Sequence, residues 1–501
     1  MKQGDGKRVL AIGIDAAEPA LVRHLIDRGE LPALKRLLDD GVWSSVTSPS
    51  HIGSGAVWPT FFTGTDPDRH GIYGEWRWHP ETMGLSRFSS SRQLNPFWEE
   101  LNRLGLTVGV LDVPFAPTVG LSKGFEISEW GAHDILEGRM QAFPAALSDT
   151  LIKQVGVHPF SSGHPDAAGP RDVRALAKLS AACLAGVKLR GELATRLITE
   201  TRPHLSIIVF PEAHTASHYL WHTVAPEHPL YDGDGHKAAL PPSPNLPAIF
   251  REMDCQIARL VEAAGAGATV LVFSLHGMRP ARGIPTILER LLSEWGFARR
   301  TDWGTQSWPQ RARSLFAAAK RRSPQSLKKL YYGTMSQNVT RRLAQTTMLP
   351  AYDWRRTRAF SLPTDQHGWI RLNVAGREAE GIISPEHYDE TCEQIADLLR
   401  AVATSDGQPL VRDVVQPSRE TVGAAARELP DLVVHWHDAA FDNPVLIDKP
   451  SIQAYPTGTK FTGQHALEGF CLMKGLLNGY KVGSPVAAKN LHRLMTEALG
   501  I

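Results

Sequence analysis

The chain has 501 residues, 42% of them hydrophobic, and a formal net charge of +2. That supplies core for one large α/β domain with insertions, or for two to three smaller domains, and it offers nucleic acid no bulk basic field. The four cysteines, Cys183, Cys255, Cys392 and Cys471, form no C-x-x-C pair, which argues against a disulfide framework or a thiolate zinc site and fits a reducing compartment.

In residues 8–14 (RVLAIGI) the apolar run is too short for a secretory leader and is cut by Asp15. No stretch approaches the roughly 18 apolar residues of a membrane span, so a cytoplasmic protein is expected. The same run reads as a buried parallel strand ending in Asp15. Residues 17–40 then show helical periodicity in two pieces, with Leu21, Val22, Leu25 and Ile26 on one face and Leu34, Leu37 and Leu38 on the next. Gly29-Glu30-Leu31-Pro32 separates them, because Gly ends a helix well and Pro starts one. A strand at 43–47 leads to a polar turn with Gly53-Ser54-Gly55 and a short helix over 56–63 that stops at Gly64. A helix at 95–104 and a strand at 106–113 follow. The alternation resumes with a strand at 205–210, a helix at 247–264 and a strand at 268–274. This pattern predicts an α/β fold, a doubly wound, mostly parallel sheet flanked by helices.

Two stretches break the alternation and are read as inserted helical cap segments of a single domain spanning 1–501. Residues 135–200 look mostly helical. Residues 279–352 contain Arg311, Arg313, Lys320, Arg321, Arg322, Lys328 and Lys329 interleaved with Leu315, Phe316, Leu327 and Leu330. A solvated amphipathic helix explains the basic run; an anionic-substrate or membrane-surface lid is the other reading. A strand at 369–374, a helix at 388–402 and a strand at 432–436 return to α/β signals.

Ligands bind at the carboxyl ends of strands in open α/β sheets. Asp15, Ser54, the group Glu212, His214 and His218, and His276 fall there or in adjacent loops, and His465 lies in the loop Thr462-Gly463-Gln464-His465. His214 and His218 are four apart, so on a helix they share a face and can grip one ion. A carboxylate, a hydroxyl and several imidazoles converging on one edge suit zinc or a similar divalent metal. With 20 histidines in the chain, surface histidines at a helix start, or an aromatic contact with Trp221 or His222, are the competing explanation.

These segments resemble the type I phosphodiesterase/nucleotide pyrophosphatase family of the alkaline phosphatase superfamily. Asp15 resembles that family's first metal-binding aspartate. Residues 54–64 (SGAVWPTFFTG), with Pro67-Asp68-Arg69-His70-Gly71-Ile72 behind, resemble its nucleophile helix. Residues 212–221 resemble its segment with an acid and a histidine four apart. Residues 274–278 (SLHGM) resemble its S-D-H-G-M motif, and 463–470 its last metal histidine. The resemblance implies Ser54 as nucleophile, one metal on His214, His218 and His465, and another on Asp15, Ser54 and His276. From its residue type alone Ser54 is equally a helix N-cap, a role compatible with the first because helix N-termini attract phosphoryl groups. Thr60 and Thr63 are expected to pack or cap.

Two positions depart from the family pattern. His214 stands where the family has aspartate, giving a three-histidine site, which is a known arrangement for zinc. Leu275 stands where it has the aspartate before His276, which weakens the second site unless Glu212 contributes. The implied activity is metal-dependent hydrolysis of a phosphodiester or phosphoanhydride, with a nucleotide-like substrate, a phosphoseryl intermediate and one or two Zn2+ or other divalent ions. A phosphotransferase of a specialised pathway and a degenerate metal-binding protein are the alternatives. A formylglycine sulfatase is disfavoured, because Ser54-Gly55-Ala56-Val57-Trp58 lacks the Pro and Arg of C/S-x-P-x-R.

Overall fold

Runs dominated by Val, Ile, Leu and Phe suit strands buried on both faces, and three of them form the middle of the main sheet. The computed structural model describes residues 7–88, 94–131, 140–147, 156–160, 172–228, 230–231, 245–281, 287–301, 348–363, 366–404, 406–417, 425–437, 445–447, 452–454, 461–475 and 484–501. The chain divides into two compact units, one of Met1–His70, Ser89–Ala281 and Thr459–Ile501, the other of Gly71–Phe88 and Arg282–Gly458.

The first unit holds strands β1 (Val9–Ile14), β2 (Gly41–Thr47), β3 (Val108–Leu111), β4 (Gly124–Ser128), β5 (Gln141–Phe143), β6 (Leu205–Phe210), β7 (Thr269–Ser274), β8 (Met278–Pro280), β9 (Gly463–His465), β10 (Gly469–Lys474) and β11 (Val486–Ala487). Nine of them make one sheet in the order β11-β2-β10-β7-β1-β6-β3-β4-β5. β1 runs parallel to both β6 and β7, so the ends of these three strands open at one edge. β10 enters antiparallel between β7 and β2, and β5 is antiparallel at the far edge, so the sheet is mixed though mostly parallel. β8 and β9 form a separate ribbon in which Met278 faces His465.

The helices follow the apolar spacing: α1 (Pro19–Asp27), α2 (Pro32–Asp39), α3 (Val57–Thr63), α4 (Val173–Thr201), α5 (Glu212–Leu220) and α6 (Leu246–Ala264). Leu10, Ile12 and Ile14 of β1 pack in one core with residues of α1, α2, α4 and α6. On the other face Gly13 leaves room for Trp58, whose ring carbon stands 2.8 Å from where a Cβ would be, beside Phe61 and Phe273. Both faces are covered.

The second unit carries a four-stranded antiparallel sheet in the order Ala359–Leu362, Gly368–Leu372, Leu432–Trp436, Val411–Val415, with the helix Tyr388–Arg400. The strands at 368–372 and 432–436, read from the sequence as more α/β signal, thus belong to a sheet of their own. Its buried charges are locked together. Arg371 pairs with Glu378 at 2.8 Å, Arg377 holds Asp431 at 2.6 Å, and Tyr388 donates to Asp431 at 2.7 Å. Asn373 donates to the carbonyls of Trp354, Thr357 and Glu380. Arg371, Asn373 and Arg377 therefore make up a salt-bridged turn. The cap segment over 135–200 contributes, in its described part, α4 on the first unit's core. The basic run 311–329 lies outside the described residues. No helix among the described residues is long and apolar enough to cross a membrane.

Candidate metal centre

Three adjacent strands deliver the site. β1 ends at Asp15, β6 runs through Pro211 into α5 with His214 and His218, and β7 ends two residues before His276. The ribbon of β8 and β9 folds His465 back onto the same edge, where its ring lies 4.6 Å from that of His276, centre to centre. Ser274 ties the edge together, accepting from the Ala17 amide at 3.0 Å and donating to the His276 carbonyl at 2.8 Å.

The Nε2 atoms of His214, His218 and His465 converge. They are separated by 2.7 Å (214–218), 3.0 Å (218–465) and 2.8 Å (214–465). Two tautomers follow from the far nitrogens. His214 Nδ1 faces the Asp15 carboxylate at 3.0 Å and His218 Nδ1 faces the Gly463 carbonyl at 2.8 Å, and both partners only accept. Each Nδ1 therefore carries a hydrogen, and with both rings neutral the Nε2 atoms of His214 and His218 turn lone pairs on one another. A proton on His465 relieves its own two contacts but not the one at 2.7 Å. A cation among the three nitrogens removes the conflict, and three neutral imidazoles are a donor set that zinc accepts. Among the described residues these three form the one group of side chains spaced to hold a metal ion.

Asp15 is buried, at 1% exposure. Its Oδ2 accepts from His214, and its Oδ1 accepts from Trp58 Nε1 at 2.8 Å. His276 Nε2 is 3.8 Å from Oδ1, beyond a hydrogen bond, and its Nδ1 donates to the Gly277 carbonyl at 3.2 Å. Leu275 is fully buried. Ser54, half-buried, opens the 3-10 turn Ser54–Ala56 that leads into α3. The cap positions of that turn and of α3 are Gly53 and Ala56, so Ser54 sits inside the turn. Trp58, one turn on, reaches Asp15, which holds His214. Thus the serine turn is fastened to the same strand ends. Thr60 bonds His70 at 2.9 Å and Thr63 donates to the Pro59 carbonyl at 2.6 Å.

Glu212 points away from the imidazoles. Two residues along a helix rotate a side chain by about 200°, so Glu212 and His214 cannot face the same way. Fully buried, its carboxylate takes Arg190 Nε at 2.9 Å and His158 Nε2 at 2.8 Å, and Arg190 also holds Asp112 at 2.8 Å. Burial alone raises the Glu212 carboxyl, but Arg190 and then His158 more than reverse this and keep it below the ordinary range. Asp112 in turn accepts the Trp130 and Gly131 amides, so that this segment is a structural turn.

The sequence profile of the type I phosphodiesterase/nucleotide pyrophosphatase family matches residues 9–440. The chain belongs to that family. Its members are phosphoester hydrolases of the phosphodiesterase/pyrophosphatase kind and generally depend on metal, so the chain is a hydrolase by family. His465 lies beyond the matched span, and its place beside His214 and His218 comes from the ribbon. Among solved structures, phosphonoacetate hydrolase from Sinorhizobium meliloti 1021, in complex with phosphonoformate, superposes with a TM-score of 0.54 at 14% identity, over 99% of this chain and 95% of that one. The likeness is one of fold, alkaline phosphatase-like. Murine ectonucleotide pyrophosphatase/phosphodiesterase 5 in complex with AMP matches at TM-score 0.45 and 11% identity over the same shares of the two chains. No curated protein matched in sequence.

Proposed function

We propose that the chain hydrolyses a phosphodiester or phosphoanhydride of a small, nucleotide-like molecule through a phosphoseryl intermediate on Ser54, at a zinc centre on His214, His218 and His465. The 2.7 Å approach of two Nε2 lone pairs carries the metal part of this reading. Family membership supports the reaction type. The position of Ser54 inside a turn fastened through Trp58 and Asp15 supports its role.

His214, His218 and His465 would hold a divalent ion, which when bound would supply Lewis-acid stabilisation of charge on a phosphoryl oxygen. The Ser54 oxygen bonds to phosphorus as the bond to the leaving oxygen breaks, and its proton ends on the departing group. Water then cleaves the seryl ester and returns the hydroxyl. The Gly463 carbonyl and Asp15 fix the rings of His218 and His214 with their lone pairs turned inward.

Leu275 favours a second reading, a metal-binding protein without turnover. His465→Ala separates the two when zinc affinity and hydrolysis of a nitrophenyl phosphodiester are followed together. The expected result is an affinity loss exceeding the ~10–100-fold that removing an outer partner costs, with parallel loss of turnover. An unaltered zinc affinity removes His465 from the centre. Zinc binding without turnover in the unsubstituted protein selects the second reading.

A further inference from the structure

We infer that Asp15 is a positioning residue for His214 rather than a metal ligand, and that the chain holds one ion, not two. The inference rests on the three-histidine centre proposed above. Both carboxylate oxygens already accept N–H donors at hydrogen-bond length, Oδ1 from Trp58 at 2.8 Å and Oδ2 from His214 at 3.0 Å. Neither donor is placed to yield. The Trp58 ring is buried against Phe61 and Phe273 and fills the space that Gly13 leaves, while the other nitrogen of His214 is drawn into the imidazole cluster.

Leu275, next to His276, is fully buried and has no donor atom, and Glu212 is committed to Arg190 and His158. Among the described residues, the family pattern then offers a second ion His276 and a hydroxyl but no carboxylate at position 275.

Charge gives the same answer. Three neutral imidazoles leave the full charge of a divalent ion on the centre, and a buried carboxylate one hydrogen bond away offsets part of it. A carboxylate on the outer nitrogen of a ligating histidine also fixes the tautomer and raises the basicity of the inner one. Asp15, at 1% exposure, stands in that place. The two departures from the family pattern are then linked. With imidazole at position 214, an N–H meets Asp15, and leucine at 275 loses no ligand that is still needed.

The test uses the full chain and Zn2+ alone, counting ions by mass spectrometry and measuring affinity by competition with a chromogenic chelator. One ion per chain is expected for the unsubstituted protein. Asp15→Asn should still bind one, about 10–100-fold more weakly, with a changed visible spectrum after cobalt substitution that mere loss of stability does not produce. His276→Ala should keep the count at one, and it tests the proposal even if Asp15→Asn does not fold. Two ions in the unsubstituted protein, with one lost in either variant, would make Asp15 a ligand and overturn the assignment. Unchanged affinity and spectrum in Asp15→Asn would overturn its positioning role. A protein that binds no zinc at all would instead remove the three-histidine centre, and this assignment with it.

Discussion

Ser54→Ala is expected to lower turnover of a nitrophenyl phosphodiester by at least about a thousandfold, while zinc content and melting temperature stay as they were. The expectation follows from where Ser54 sits. Its turn is anchored by residues on either side, Ser50 to the Leu467 carbonyl at 2.9 Å and Trp58 to Asp15 at 2.8 Å, so trimming one hydroxyl leaves those fastenings in place. The zinc centre proposed here rests on His214, His218 and His465, so the zinc count should not register loss of the Ser54 hydroxyl. A plain turn residue gives the opposite signature, with a small loss of stability and near-normal turnover. Activity within tenfold of the unsubstituted protein would rule out the covalent route.

Arg190→Met should destabilise the protein by about 3–5 kcal/mol, read as a lowered urea midpoint of the transition that reports the sheet unit. Arg190 is fully buried, and its guanidinium joins Asp112 on one side to Glu212 on the other, with the Trp130 ring 5.3 Å away. Methionine fills a similar volume but strands two carboxylates without their cation. The network fixes the first turn of α5, so a second readout is a weaker zinc centre. The acid side follows from the same pair. The Glu212 carboxyl lies below its ordinary value of 4.5 in the folded protein, so its contribution is complete above that pH and is lost as pH falls through the lower, folded value. Stability should therefore drop on acidification below that ordinary value in the unsubstituted protein, and less steeply in Glu212→Gln. A loss below 1 kcal/mol in Arg190→Met would show that the network is not what holds α5.

Much of the frame could be read from local pattern. The apolar run ending at Phe210 and the Gly29-Pro32 break both mark what forms, because strand burial and helix capping are decided by near neighbours. β10 was not legible as a strand. Its six residues follow directly on the His465 loop, and their antiparallel insertion between β7 and β2 depends on partners hundreds of residues away. The second unit's antiparallel sheet escaped for the same reason.

At the site, strand ends and the four-residue spacing of His214 and His218 brought out the imidazoles that meet. Glu212 drew attention by proximity in sequence, yet the helical rotation between 212 and 214 already turned it away. Trp58 is the informative omission. It entered the sequence reading only as the residue standing where a sulfatase carries arginine, although its place one turn beyond Ser54 puts it on the same face. Nothing in the sequence indicated its partner, Asp15, or the Asp112–Arg190–Glu212–His158 network, whose members are far apart along the chain.

The most direct test of the three-histidine centre is metal depletion and return. Protein stripped with a chelator and dialysed free of it should lose nitrophenyl phosphodiester hydrolysis, and zinc should restore the rate in proportion, reaching a plateau near one equivalent per chain. Full activity in the stripped protein, with no response to added zinc, would contradict the account at its centre.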